Sequence, residues 1–329
     1  MLSTVIWQRQ EQRLSDREFW ALVVELSEPE QPFQPSGEYQ SDNLVSNERS
    51  VQDVLPNLGV RRSGAYIGVG PEQNFTYLAF LDPRIAFIVD IRRANLLEHL
   101  LYKALFELSA DRAEFVSRLF GRERIKTRSR ALTASELVTS LRQSRRSDAA
   151  AEQTFEQAID LLVRRHGFGL SPADITEMRA IYRQFCVSGP ELRWSPDGRD
   201  WIPTYAELMV QRGHDGLPRG FLASEDRFQT VKAMEQTNRV VPIVGDFGGT
   251  HALHGIARYL VAHDLIVDVF YTSNVEPYLR GGAVDRFQAN VAALPTDASS
   301  VFVRTLFHWT GGPPSKPDYV TSTTAVPMK

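Results

Sequence analysis

The sequence predicts an α/β fold, a doubly wound sheet interrupted after its second strand by a large helical insertion. Three observations predict it. Residues 65–93 read strand, helix, strand over about 30 residues, the size of a βαβ unit. β-Branched and aromatic runs return at 239–249, 265–274 and 300–309. Between the two groups, from Asn95 to about residue 232, apolar residues recur at helical steps.

The elements follow in order. The opening "MLSTVIWQRQEQRLSD" turns polar early, and "EPEQPFQPSGEYQ" (28–40) carries three prolines and a glycine, so residues 1–40 are expected to be an appendage ending in an extended segment. Residues 41–94 form the first part of the sheet domain: the strand "AYIGVG" (65–70), a helix over 72–81 and the strand "RIAFIVDIRR" (84–93). The insertion, 95–235, opens with "NLLEHLLYKALFELS", whose apolar residues line one helix face, and His99 and Tyr102 share a helical face within it. Lys103 and Glu107 make an i,i+4 pair expected on a solvated surface. Thr133 with Glu136, and Ser171-Pro172 with Asp174, have the spacing of helix starts. The basic run "RLFGRERIKTRSR" (118–130) reads as a solvated loop, with a phosphate- or nucleic-acid-binding arm as the alternative. Residues 236–329 complete the sheet: strands at 239–249, 265–274 and 300–309, a helix in "THALHGIARYLVAHD" (250–264), and a proline-rich C-terminal loop with at most one edge strand.

Composition narrows the partners. The 37 Lys and Arg against 40 Asp and Glu leave a formal charge of -3, so the global balance gives no reason to expect nucleic acid or a membrane surface. No stretch reaches the roughly 18 apolar residues of a membrane span, and the single cysteine, Cys186, fits a reducing compartment as a small buried apolar residue. The expected location is the cytoplasm.

Chemistry is concentrated at the predicted strand ends. Gly68 and Gly70 occupy a turn in which backbone can approach a polar ligand at a helix start. A dinucleotide fingerprint wants a third glycine where Gln73 stands, and Glu72 would repel a diphosphate, so Glu72 and Asn74 point to a ligand carrying an ammonium group. Asp90, twenty residues beyond Gly70, is placed to accept ribose hydroxyls, or else to pair with Arg92 or Arg93 or cap the next helix. Asp246 in "VGDFGG" can meet an adenine amine or close an ordinary turn. Tyr271, Ser273 and Asn274 end a buried strand where a nucleophile could be oriented, with Glu276 as a conceivable base, or merely close a turn before Pro277. Asn43, Ser46, Asn47 and Glu48 can cap a helix or line the site's mouth and meet substrate. His251 and His254, three apart, lack a third close ligand for zinc.

The order strand, "GVGPEQN", helix, strand ending in Asp90, strand ending in Gly245-Asp246, then "IVDVFYTSNVEPYL" resembles class I S-adenosylmethionine-dependent methyltransferases. The resemblance implies a Rossmann-like sheet of the methyltransferase type and S-adenosylmethionine as cofactor. It further implies that Gly68 and Gly70 hold the methionine portion, Asp90 the ribose and Asp246 the adenine, with Tyr271 to Asn274 facing the transferred methyl. Tyr66 replaces the acidic residue usual two positions before the first glycine, and the long insertion is atypical. "SDNLVSNE", "GVGPEQNF", "AFIVDIRR", "LLYKALFELSADRAEF", "FLASEDRF" and "YTSNVEPYL" are also similar to an uncharacterised bacterial family over roughly residues 25 to 310, which implies no activity. Two functions follow: a methyltransferase acting on a small-molecule or protein nucleophile, its insertion a substrate lid; and a non-catalytic adenosyl-ligand sensor or scaffold whose helical region recruits a protein partner. Gln73 and Glu72 disfavour a nicotinamide-dependent oxidoreductase.

Overall fold

The computed structural model describes residues 13–31, 41–59, 64–126, 132–195, 202–309 and 319–328. The expected extended segment, over 32–40, and the proline-rich loop, over 310–318, fall outside them. Helix α1 (Asp16–Leu26) starts at a Ser15–Glu18 capping box and buries Phe19, Leu22, Val23 and Leu26, one face at helical spacing. Those side chains join the core shared with the sheet, so this part of the expected appendage is built into the fold.

A short α2 (Leu55–Leu58) precedes β1 (Ala65–Gly68), α3 (Gln73–Leu81) and β2 (Ile85–Asp90). Both strands are buried along their whole length, which is why they read as continuous apolar runs. The helical region holds α4 (Arg93–Leu108), α5 (Arg112–Leu119), α6 (Ala134–Gln143), α7 (Asp148–Ile159), α8 (Pro172–Ser188), α9 (Tyr205–Met209) and α10 (Glu225–Gln236). Thr133 with Glu136 and Ser171 with Asp174 form the reciprocal caps their spacing predicts. Then come β3 (Val240–Val244), α11 (Ala252–Ala262), β4 (Val267–Ser273), α12 (Gly282–Ala293), β5 (Val301–Trp309) and β6 (Tyr319–Pro327).

The strands form one open, mostly parallel sheet in the order β3-β2-β1-β4-β5-β6, with only β6 antiparallel at the edge. Helices α3 and α4 pack on α10, whereas α11 packs on α1 and α12. With right-handed crossovers these two groups cover opposite faces. The chain winds outwards from β1 in one direction through β2 and β3, then returns to β4 on its other side. The carboxyl ends of β1 and β4 therefore part, which in open α/β sheets leaves a crevice.

Aromatic packing ties the helical region to this sheet. Phe75 of α3 meets Tyr102 and Phe106 of α4 edge-on at 5.0 and 5.1 Å, and Phe106 stacks on Phe115 of α5 at 4.5 Å and on Phe228 of α10 at 5.3 Å. One surface expectation fails and another holds in part. Lys103 is 1% exposed, because its α4 face turns towards α10: Nζ meets Glu107 Oε1 at 2.9 Å and donates to the Glu235 carbonyl. Within the basic run, Arg118 belongs to α5 and pairs with Glu114 at 2.9 Å, Arg122 donates to Ser144 O at 2.7 Å, and Arg124 reaches Glu114 at 3.4 Å. Arg124 is nevertheless 61% exposed on its side chain and Lys126 is exposed, so 121–126 is largely the solvated loop expected; residues 127–130 lie outside the described ones. Among the described residues, no helix is long and apolar enough to cross a membrane.

Candidate functional site

The crevice at the parting of β1 and β4 is a cavity of about 640 Å³, within the usual range for a small-molecule site. Each of the four strand-end segments singled out in the sequence reaches it: Gly70 after β1, Asp90 at the end of β2, Asp246 after β3, and Ser273 with Asn274 at the end of β4. Asn43, Asn47 and Glu48 also line it, as does Trp194 from the helical region.

The glycine turn is held from behind. Gly70 has φ +78°, a left-handed conformation that favours glycine. Asn74 does not face the cleft: its amide donates to the carbonyls of Val69, Gly70 and Pro71 at 3.0, 3.0 and 2.8 Å, and its Oδ1 accepts from Tyr66 Oη at 2.8 Å. A Cβ at Gly68 would collide with that same Oδ1, so Gly68 is required by this buttress and makes no part of the cleft wall. His99 supports the turn from α4, its Nε2 lying 2.9 Å from Gly70 O. Burial pushes its pKa down to about 4, and because a carbonyl only accepts, the neutral ring must donate from Nε2.

Three further expected roles change. Glu72 does not offer a charge to the cleft: both its oxygens accept from Ser46 N, at 3.1 and 3.2 Å, and burial pushes its pKa up to about 8. It lies on a separate small cavity of about 30 Å³, shared with Ser46, Glu48 and Gln73. Tyr271 is fully buried beneath the cleft, packed on Tyr77 with centroids 4.9 Å apart and accepting from Gln73 Nε2 at 3.2 Å. Glu276 faces another groove and pairs with Arg304.

Asp90 lines the cleft and also pairs with Arg92, whose Nε and Nη2 donate to Oδ1 and Oδ2 at 3.0 and 2.9 Å. Asp246 lines it while its Oδ1 closes a turn onto Gly248 N at 2.8 Å. Asn43 stands at φ +50° and its backbone N–H donates to Ser41 Oγ at 2.9 Å. Among the histidines, His251 Nε2 contacts Glu25 O at 2.7 Å, and His254 borders a different surface depression.

The most unusual backbone in the cleft is at Ser273. The β4–β5 register shifts between Tyr271 and Ser273, and Ser273 takes φ +52°, a conformation uncommon outside glycine. Its Oγ donates to Glu48 Oε1, and Thr305 Oγ1 donates to Glu48 Oε2 at 2.5 Å. Burial raises the Glu48 pKa.

Trp194, Tyr278 and Arg280 also line the cleft and were not found in the sequence. Tyr278 and Arg280 follow "TSNVEP" closely enough for a longer reading of that strand end to have included them. Trp194 carries no such signal, since it sits far along the chain in the helical region.

A family described as Domain of unknown function (DUF7790) matches residues 43–324. A search of curated proteins gives no match.

Proposed function

The chain belongs to the DUF7790 family, and from that premise and the cleft's geometry we propose that it is an S-adenosylmethionine-binding protein of the methyltransferase type. The observation that carries the reading is convergence: Gly70, Asp90, Asp246 and Ser273–Asn274, drawn from four separate strand ends, line one cavity of about 640 Å³ at the point where strand order reverses. The fit is supported by the residues present. Gly70 keeps the turn low, with a Cβ there meeting Gln73 Nε2 at 2.9 Å. Asp90 and Asp246 supply acceptors for ribose hydroxyls and an adenine amine. When bound, S-adenosylmethionine would supply an electrophilic methyl group.

The protein's own part is orientation and exclusion of water, which suffice for in-line attack on a methyl group. Asn43, Asn47 and Asn274 offer both donors and acceptors around the cleft, and Trp194 brings the helical region to it.

Calorimetric titration with S-adenosylmethionine, S-adenosylhomocysteine and NAD tests the reading. Binding of the first two with a Kd of roughly micromolar size, weakened at least about tenfold in Asp246→Ala, is the expected result. Binding of NAD alone, or of none, overturns it.

A further inference from the structure

Resting on that reading of the cleft, we infer that Glu48 and Ser273 form a proton-accepting pair on the acceptor side of the site. The cleft would then serve acceptors whose nucleophilic oxygen or nitrogen still carries a proton when it arrives.

Four observations support the pair. Both residues line the cleft, and Ser273 Oγ donates directly to Glu48 Oε1. The shifted β4–β5 register and the φ of +52° turn Ser273 into the cleft. Glu48 is 2% exposed, and the groups that face it among the described residues are Ser273, Thr305, Tyr271, Tyr66, Tyr77 and Glu72, none of them a cation. Burial favours the protonated carboxyl, and the hydrogen bonds from Ser273, Thr305 and Tyr271 oppose it, so the carboxylate is held where it can take a proton. Finally, Glu48 borders the small cavity of about 30 Å³ that Glu72 also lines, with space for about two waters by which a proton could move away from the cleft.

The step balances. The acceptor's lone pair forms the new bond to the methyl carbon, and the carbon–sulfur bonding pair stays on sulfur as a neutral thioether. The acceptor's proton passes to Ser273 Oγ as the hydroxyl proton of Ser273 passes to Glu48 Oε1. Ser273 is regenerated, and Glu48 ends neutral.

Sinefungin, in which a carbon bearing an ammonium group replaces the methylsulfonium centre, probes this side of the cleft without turnover. Its affinity and that of S-adenosylhomocysteine are to be measured by calorimetry on the full chain and on Glu48→Gln. The expected result is a loss of roughly tenfold or more for sinefungin in the variant, with S-adenosylhomocysteine changed by less than about twofold. An equal loss for both ligands, or for neither, overturns the inference. Should Glu48→Gln fail to fold, Ser273→Ala decides: it should lose affinity for sinefungin by about threefold or more while S-adenosylhomocysteine changes by less than about twofold, and an equal loss for both or for neither overturns the inference. Failure of the unmutated chain to bind S-adenosylhomocysteine at all overturns the reading of the cleft, a result separate from any effect of Glu48.

Discussion

Arg92 grips Asp90 with two parallel hydrogen bonds, 3.0 and 2.9 Å long, although only one residue separates them in the chain. The same guanidinium donates from Nη1 to Asp42 O at 2.7 Å, so the pair also fastens the segment that carries Asn43 to the end of β2. Both side chains are largely buried, at 10% and 6% exposure, and removing one partner strands the other's charge. Asp90→Ala should therefore lose about 3 kcal/mol in urea unfolding. If Asp90 also meets a ribose, the Nε–H resonance of Arg92 should shift when S-adenosylhomocysteine is added. A resonance that stays put while calorimetry shows binding would exclude Asp90 from the ligand's contacts.

The glycine turn depends on one amide. Asn74 spends both N–H donors on three carbonyls and its oxygen on Tyr66. In Asn74→Asp the donors vanish and a buried carboxylate faces those carbonyls, so the variant should be destabilised by about 2 to 3 kcal/mol and should bind adenosyl ligands more weakly. Tyr66→Phe removes only the bond to Oδ1 and should cost about 1 kcal/mol. Equal effects from the two changes would mean that the carbonyl contacts do not hold the turn.

Glu72 makes stability depend on pH. Its folded pKa is raised by burial to about 8 from an ordinary 4.5. Its contribution is thus fully present below about 4.5 and is lost as pH rises through about 8. Glu235 is raised in the same way to about 8, so the quantity to follow is the difference between the two proteins. Glu72→Gln should gain stability relative to the unmutated chain as pH increases from about 5 to about 9, measured by chemical unfolding. A difference that does not change with pH would show that Glu72 is ionised in the folded protein.

The strands were legible because each buried run is continuous and bounded by turn residues, as in "AFIVD" of β2 and "VVPIV" of β3. Their ends were legible too, since the position of a turn follows from where an apolar run stops. Which way a side chain points at such an end was not. Tyr271 and Ser273 would share a face in a regular strand, yet the register shift between them leaves Tyr271 buried and brings Ser273 to the cleft. Glu72 and Gln73 are neighbours, but only Gln73 reaches the cleft, because α3 begins between them. Lys103–Glu107 illustrates the same limit in a helix: spacing finds the pair, and only the packing of α10 on α4 shows that it is enclosed.

His166 clamps α1 to the helical region through both ring nitrogens, Nδ1 lying 2.8 Å from Asp16 Oδ2 and Nε2 3.0 Å from Glu107 Oε2. The ring also stacks on Phe168, which in turn stacks on Trp20 of α1. The hydrogen bond to Glu107 raises the His166 pKa, burial opposes it, and the bond to Asp16 and both carboxylate charges add to the rise. Doubly bonded imidazole has to be the cation, because each carboxylate can only accept. Since the folded pKa lies above the ordinary 6.5, the clamp's stabilisation is complete below about 6.5 and is lost as pH climbs through the raised value. Asp16 is 39% exposed on its side chain, so solvent screens part of the interaction, and a contribution of about 1 kcal/mol is expected. His166→Gln should lower stability by that amount near pH 6 and by progressively less at higher pH. Hydrogen exchange should locate the change in α1, whose amides should exchange faster in the variant at pH 6 while those of β1 and β2 do not. A variant that loses stability equally at all pH values would show that His166 holds α1 through ring packing alone.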